Sequence, residues 1–152
     1  TSSELLSCLG EFLLRRCNRL RHFQTTECVA WIRSVDRALL ASGWQDVPFI
    51  NPANVVFLYM LVRNSVDASI VTVDELRSTV LACLYLAYSY MGNEISYPLK
   101  PFLAIARIDS DRRGRFWYRC VKVADDSSWR MLRLNSDPAY FARLFRDLKS
   151  FS

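Results

Sequence analysis

The chain has 152 residues, 51% hydrophobic and 23% charged, with a formal net charge of +5 and a pI near 9.1. That balance excludes a disordered chain, and the length suits a single domain, 1–152, with room for a real core. Four glycines and five prolines are too few for the many turns of a sandwich or barrel, so the expected fold class is all-α.

Taken in order, Thr1-Ser-Ser-Glu4 is a capping box, and Leu5, Leu6, Leu9, Phe12 and Leu13 behind it mark one side of an amphipathic helix. Arg15, Arg16, Arg19 and Arg21 follow, either favouring the negative end of that helix dipole or forming a phosphate-binding stripe. Thr25 or Thr26 is expected to cap a second helix, carrying Val29, Ile32, Val35, Leu39 and Leu40 and stopping near Gly43. Trp44 to Ile50 reads as a loop whose bulky apolar residues fold back on the bundle. Asn51-Pro52 is a cap followed by proline at the first helical position, and the run from Val55 to Leu61 is apolar on most sides.

The stretch around which the chain is organised is Thr72 to Phe102. Thr72-Val-Asp-Glu75 is a further capping box, and from Val80 to Met91 almost every residue is apolar or aromatic. A helix that is apolar all round belongs in the middle of a bundle, and this run of about a dozen residues is short of the roughly 20 needed to cross a membrane. Gly92 is expected to end the helix in a left-handed conformation. Asn93 and Glu94 then form an exposed acidic loop, stiffened by Pro98 and Pro101. Tyr85, Tyr88, Tyr90 and Tyr97 surround this end, as interface residues or as core aromatics.

Beyond it, Phe102 to Ala106 suits a short helical turn, Asp109 to Arg115 an exposed loop, and Phe116 to Val123 a helix. Asp125 to Ser128 is expected to end that helix and to cap another around Trp129, Met131, Leu132 and Leu134. Asp137-Pro138 repeats the cap-plus-proline start before a last helix with Tyr140, Phe141, Leu144, Phe145 and Leu148. The sum is about seven helices around two very apolar ones.

Catalytic equipment is not apparent, and the reading is that the chain is not an enzyme. His22 is the only histidine, and no serine or cysteine has a base beside it in sequence. The four glycines stand far apart, so there is no phosphate loop. Asp74/Glu75 and Asp125/Asp126 fall where helix ends call for them. Five scattered cysteines without a CxxC pair suit a reducing compartment and argue against a metal site; no cofactor is expected. The opening TSSELL has no initiator methionine, signal region or lipidation motif, and is expected to belong to a core fragment of a longer protein. What remains is a module that binds a macromolecule.

The run Tyr88-Ser-Tyr-Met-Gly-Asn-Glu-Ile-Ser-Tyr-Pro-Leu-Lys-Pro-Phe102 resembles the activator subunits of cyclin-dependent kinase 5, the neuronal kinase activators. Further matches are Cys8-Leu-Gly-Glu-Phe12, Arg33-Ser-Val-Asp-Arg37, Gly43-Trp-Gln-Asp46, Pro52 to Met60, Phe116-Trp117 and Asp147-Leu-Lys149. The resemblance implies a cyclin-box-like helical bundle around the central helix Thr72–Met91. It also implies a non-catalytic subunit that binds cyclin-dependent kinase 5 as a heterodimer and activates this proline-directed serine/threonine kinase without loop phosphorylation. By that resemblance Met91, Gly92, Asn93, Glu94 and Ile95 face the kinase activation loop, and Glu94 selects a basic residue downstream of the target. Leu84, Tyr88, Trp117, Tyr118 and Asp125 are expected toward the kinase C-helix.

Two departures from vertebrate members stand out: extra residues within Ile105 to Arg115, and Tyr118 and Asp125 where those members carry Asp and Asn. The family's lipid-anchored N-terminal region is absent, so no membrane contact is expected of this piece; the kinase-activator resemblance implies no nucleic-acid contact either. Its expected location is cytoplasmic or nuclear, with the full-length protein at the cell periphery or membrane. The alternatives are a basic helical nucleic-acid module, which needs Arg15, Arg16, Arg19, Arg21, Arg112 and Arg113 on one face, and a scaffold that binds a kinase without activating it.

Overall fold

The computed structural model describes all residues, 1–152, and contains seven α-helices, one short 3-10 turn and no strand. In chain order they are α1 (Ser2–Arg16), α2 (Thr25–Ala41), α3 (Pro52–Ser65), α4 (Val73–Met91), α5 (Lys100–Ala106), α6 (Arg113–Ser136) and α7 (Pro138–Lys149). This is consistent with a cyclin-box-like bundle. The two most apolar helices hold the centre: α4 touches α2, α3, α5 and α6, and α3 touches α1, α4, α6 and α7. Every residue of α3 from Asn54 to Val62 is buried, as are Val80 to Leu84 of α4, so neither helix keeps a wet face there. One cluster of buried apolar residues runs through the whole chain. No helix is long and apolar enough to cross a membrane.

The helix starts follow local chemistry. The Thr1 and Thr72 hydroxyls accept from the Glu4 and Glu75 N–H groups, at 3.3 and 3.1 Å. Asn51 accepts from Asn54 N–H, and Asp137 from Ala139 and Tyr140, each ahead of a proline that has no N–H to satisfy.

Four local expectations need correction. The cap of α2 is Gln24 rather than Thr25 or Thr26, with the Glu27 carboxylate accepting from Gln24 N–H at 2.8 Å. Asp109 to Arg115 is exposed but not a plain loop, because Ser110–Arg112 forms a 3-10 turn that leads directly into α6. Asp125 to Ser128 does not break the helix. Val123, Ser127, Met131 and Leu134 point into the core at helical spacing, and the mild propensity cost of Asp and Ser loses to that burial. Gly92 is not left-handed: its φ is −74° and its ψ 165°. It is there for space, since a Cβ would lie 2.2 Å from the Tyr97 hydroxyl and 2.5 Å from the Tyr88 carbonyl oxygen.

Candidate functional site

The carboxyl end of α4 and the loop after it, Gly92 to Leu99, make a tip supported from beneath. Tyr88 is fully buried, stacked on Phe49 at 3.8 Å and set edge-on to Tyr97 and Phe102. Its hydroxyl donates to Asp36 at 3.2 Å. Asp36 is itself 5% exposed and also accepts from Phe49 N–H at 2.9 Å and from the Gln45 amide. One buried carboxylate thus joins α2, the loop from Trp44 to Ile50 and the end of α4. With Ile50 N–H at 3.5 Å as a fourth donor, this buried acid is satisfied; without them it would be costly. Burial first, and the nearby Asp36 charge second, push the Tyr88 phenol well above its ordinary value, so it stays a donor.

Tyr97 does the same for the loop. Its ring is buried, its hydroxyl accepts from Glu94 N–H at 3.3 Å beside Gly92, and its carbonyl accepts from the Tyr85 hydroxyl at 3.1 Å. The chain from 92 to 97 therefore wraps its own tyrosine. Asn93, Glu94, Ile95 and Ser96 are left outside, with Ile95 fully exposed, while Met91 and Gly92 are half-buried. Beside the tip lies a cleft of about 190 Å³ whose far wall is Gln45 to Phe49 with Asn51 and Asn54. Its rim carries two carboxylates, Glu94 and Asp46, both exposed. Reading along the chain misses Asp46, 48 residues away from Glu94; the buried Asp36 and the stacking of Phe49 on Tyr88 bring its loop here.

The second feature is the outer face of α6. Trp117, Tyr118, Val121, Trp129 and Leu132 are between 41% and 71% exposed, and Asp125 is exposed among them. Spacings of three and four residues align Tyr118, Val121, Asp125, Trp129 and Leu132 in one stripe. Trp117 meets Tyr85 of α4 edge-on at 6.1 Å, which joins the stripe to the tip helix. Leu84 and Tyr88, expected on the same surface, have no accessible area at all. They lie on the core side of α4, so they shape this surface from within and touch nothing outside it. The tyrosines likewise divide: Tyr88 and Tyr97 are core, Tyr85 is half-buried, and Tyr90 is exposed while stacked on Phe57 at 5.4 Å.

The basic residues do not gather as a nucleic-acid face requires. Arg15 bonds Glu11 and lines a groove with Lys149 and Phe151, and Arg16 donates to the Arg63 and Val66 carbonyls. Arg112 belongs to a different cleft, against the start of α4. All five cysteines are buried and free, with Cys28, Cys83 and Cys120 pushed up to about 12 by burial, so these three are thiols in the core.

Fold and site together define an all-helical bundle, with a braced acidic tip next to an exposed aromatic helix face. Comparison with known proteins narrows the class. Residues 1–152 match the family described as cyclin-dependent kinase 5 activator protein. Over 152 residues the chain is 56% identical to the Homo sapiens cyclin-dependent kinase 5 activator 1, covering all of this chain and 48% of that protein. It is 52% identical over 151 residues to the human activator 2, covering 99% of this chain and 40% of that one. A Caenorhabditis elegans activator 1 is 50% identical over 155 residues, 100% of this chain and 42% of its own length. The chain belongs to the cyclin-dependent kinase 5 activator family, and it spans about half the length of the curated relatives it matches.

Proposed function

We propose that this chain binds cyclin-dependent kinase 5 as the non-catalytic half of a heterodimer and activates it without phosphorylation of the kinase. The observation that carries the reading is the tip: Met91 and Gly92 half-buried, then Asn93, Glu94 and Ile95 presented to solvent, on a loop held by buried tyrosines, in a chain whose relatives are named activators. A kinase is competent when its C-helix glutamate pairs with the ATP-site lysine and its activation loop leaves the substrate groove. A partner that fits only that arrangement shifts the population toward it. Moving from 1% to 99% active takes roughly 5.5 kcal/mol of differential affinity, and a rigid tip delivers this better than a floppy one.

In this reading Met91, Gly92, Asn93, Glu94 and Ile95 meet the activation loop. Trp117, Tyr118 and Asp125 meet the C-helix, with Leu84 and Tyr88 supporting them from the core. Tyr118 and Asp125 replace Asp and Asn of vertebrate members, so the polar contacts there are rearranged. Glu94 contributes a fixed carboxylate for a basic residue downstream of the target serine or threonine.

The test is reconstitution with unphosphorylated kinase and a Ser/Thr-Pro substrate. The mixture is expected to phosphorylate it while neither protein alone does; a mixture no more active than the bare kinase removes the proposal. Binding without any rise in kcat would instead leave a scaffold.

A further inference from the structure

The segment between Phe102 and Phe116 builds something of its own. With the start of α4 and the first turns of α6 it encloses a cleft of about 460 Å³. Five arginines line it: Arg77, Arg107, Arg112, Arg115 and Arg119. Two are fixed. Arg77 is only 7% exposed, held by Asp74 and by the Ala106 carbonyl, and the Arg119 guanidinium donates to the Thr79 hydroxyl at 2.9 Å. Arg107, Arg112 and Arg115 are exposed, and none of them is in a salt bridge. The only ion pair within the cleft is Arg77–Asp74. α6 has no acidic residue in its own first turn, although Asp111 stands in the 3-10 turn just before it.

We propose that this cleft binds a phosphoserine or phosphothreonine peptide, the phosphate seated among Arg107, Arg112, Arg115 and Arg119. Several guanidiniums without carboxylate partners, converging on a concavity, suit a dianion with three acceptor oxygens. The volume admits more than a bare phosphate, and falls within the range of ligand clefts. Glu75 and Asp109 also line it, and Asp74 is exposed on its free side, so a lysine or arginine flanking the phosphoresidue finds a partner. The same acids, set in a concave surface, repel a flat anionic membrane. A nucleic-acid strand would call for stacking platforms, and the one aromatic here, Phe116, is buried. The inference does not rest on the kinase reading, because its test contains no kinase.

The experiment measures fluorescence anisotropy of a labelled peptide with one phosphoserine and a flanking lysine, binding the 152-residue chain. Its unphosphorylated form, inorganic phosphate as competitor and phosphatidylserine vesicles serve as the other arms. Binding is expected only for the phosphopeptide, with competition by millimolar phosphate. The double variant Arg112→Ala/Arg115→Ala, both exposed positions, is expected to bind at least about tenfold more weakly with unchanged circular dichroism. Arg130→Ala/Arg143→Ala, on another face, is expected to bind as the parent does. Equal binding of the unphosphorylated peptide, equal loss in the two double variants, or stronger capture of vesicles would each overturn the assignment.

Discussion

The tip after α4 and the outer face of α6 are both exposed, yet they are held in place in opposite ways. The α6 stripe needs no special support, since a helix fixes its own backbone and Tyr118, Val121, Asp125, Trp129 and Leu132 project from it at spacings of three and four residues. The tip has no repeating backbone hydrogen bonds, and its shape comes from buried groups behind it: Asp36, Tyr88, Tyr97 and the missing Cβ of Gly92. The lesson is that a loop without repeating backbone hydrogen bonds takes a fixed shape when the core reaches into it. Damage beneath the tip should therefore cost stability and function together, whereas damage on α6 should cost function alone.

The largest effect is expected from Asp36→Ala. It orphans the Tyr88 hydroxyl and the Phe49 N–H and leaves the Gln45 amide only the Asp36 backbone carbonyl, so unfolding free energy should fall by about 3 kcal/mol or more in urea titration. A loss below 1 kcal/mol would mean the tip is not braced this way. Gly92→Ala comes next, at about 1–3 kcal/mol, because the new methyl meets the Tyr97 hydroxyl and a backbone carbonyl. Kinase stimulation should drop further than that stability loss explains; stimulation that tracks stability alone would deny the tip a role of its own.

On the other side of the comparison, Trp117→Ala with Tyr118→Ala should leave the melting temperature nearly unchanged. It should weaken kinase binding by about 1–2 kcal/mol, as read by calorimetry. A sharper probe of the brace is pH. The folded values of Tyr88 and of the Cys28, Cys83 and Cys120 thiols lie above their ordinary values of 10.0 and 9.0. Their contribution is thus complete below pH 9 and is lost as pH rises through and beyond 9 to 10. Tyr88→Phe should cost about 1 kcal/mol at neutral pH and make the alkaline decline shallower. An identical alkaline profile would show that Tyr88 is not among the groups responsible. Smallest of all is Glu94→Ala. Its carboxylate is exposed, so stability should hold, and preference for a downstream lysine should fall by no more than about 1 kcal/mol.

The helix starts at Thr1, Asn51, Thr72 and Asp137 were legible because capping is decided within four residues. So was the central place of α4, since a run with no polar face has nowhere else to go. Asp125 to Ser128 misled for the complementary reason: local preference there is weak, and the buried positions on either side outweigh it. Gly92 was read correctly as special but for the wrong cause, because its neighbour Tyr97 returns to it from five residues on. The arginines between Phe102 and Phe116 were visible in the sequence, but their partners on α4 were not.

By itself, the sequence determined an all-helical chain, its two apolar axes, and the family to which the tip motif belongs. Each of these is written in spacing or in contiguous residues. The tertiary structure alone decided that Leu84 and Tyr88 lie inside, that Asp46 stands across a cleft from Glu94, and that Arg77 and Arg112 share a wall. Those facts depend on how helices distant in the chain pack side by side, and a short-range pattern holds no record of that.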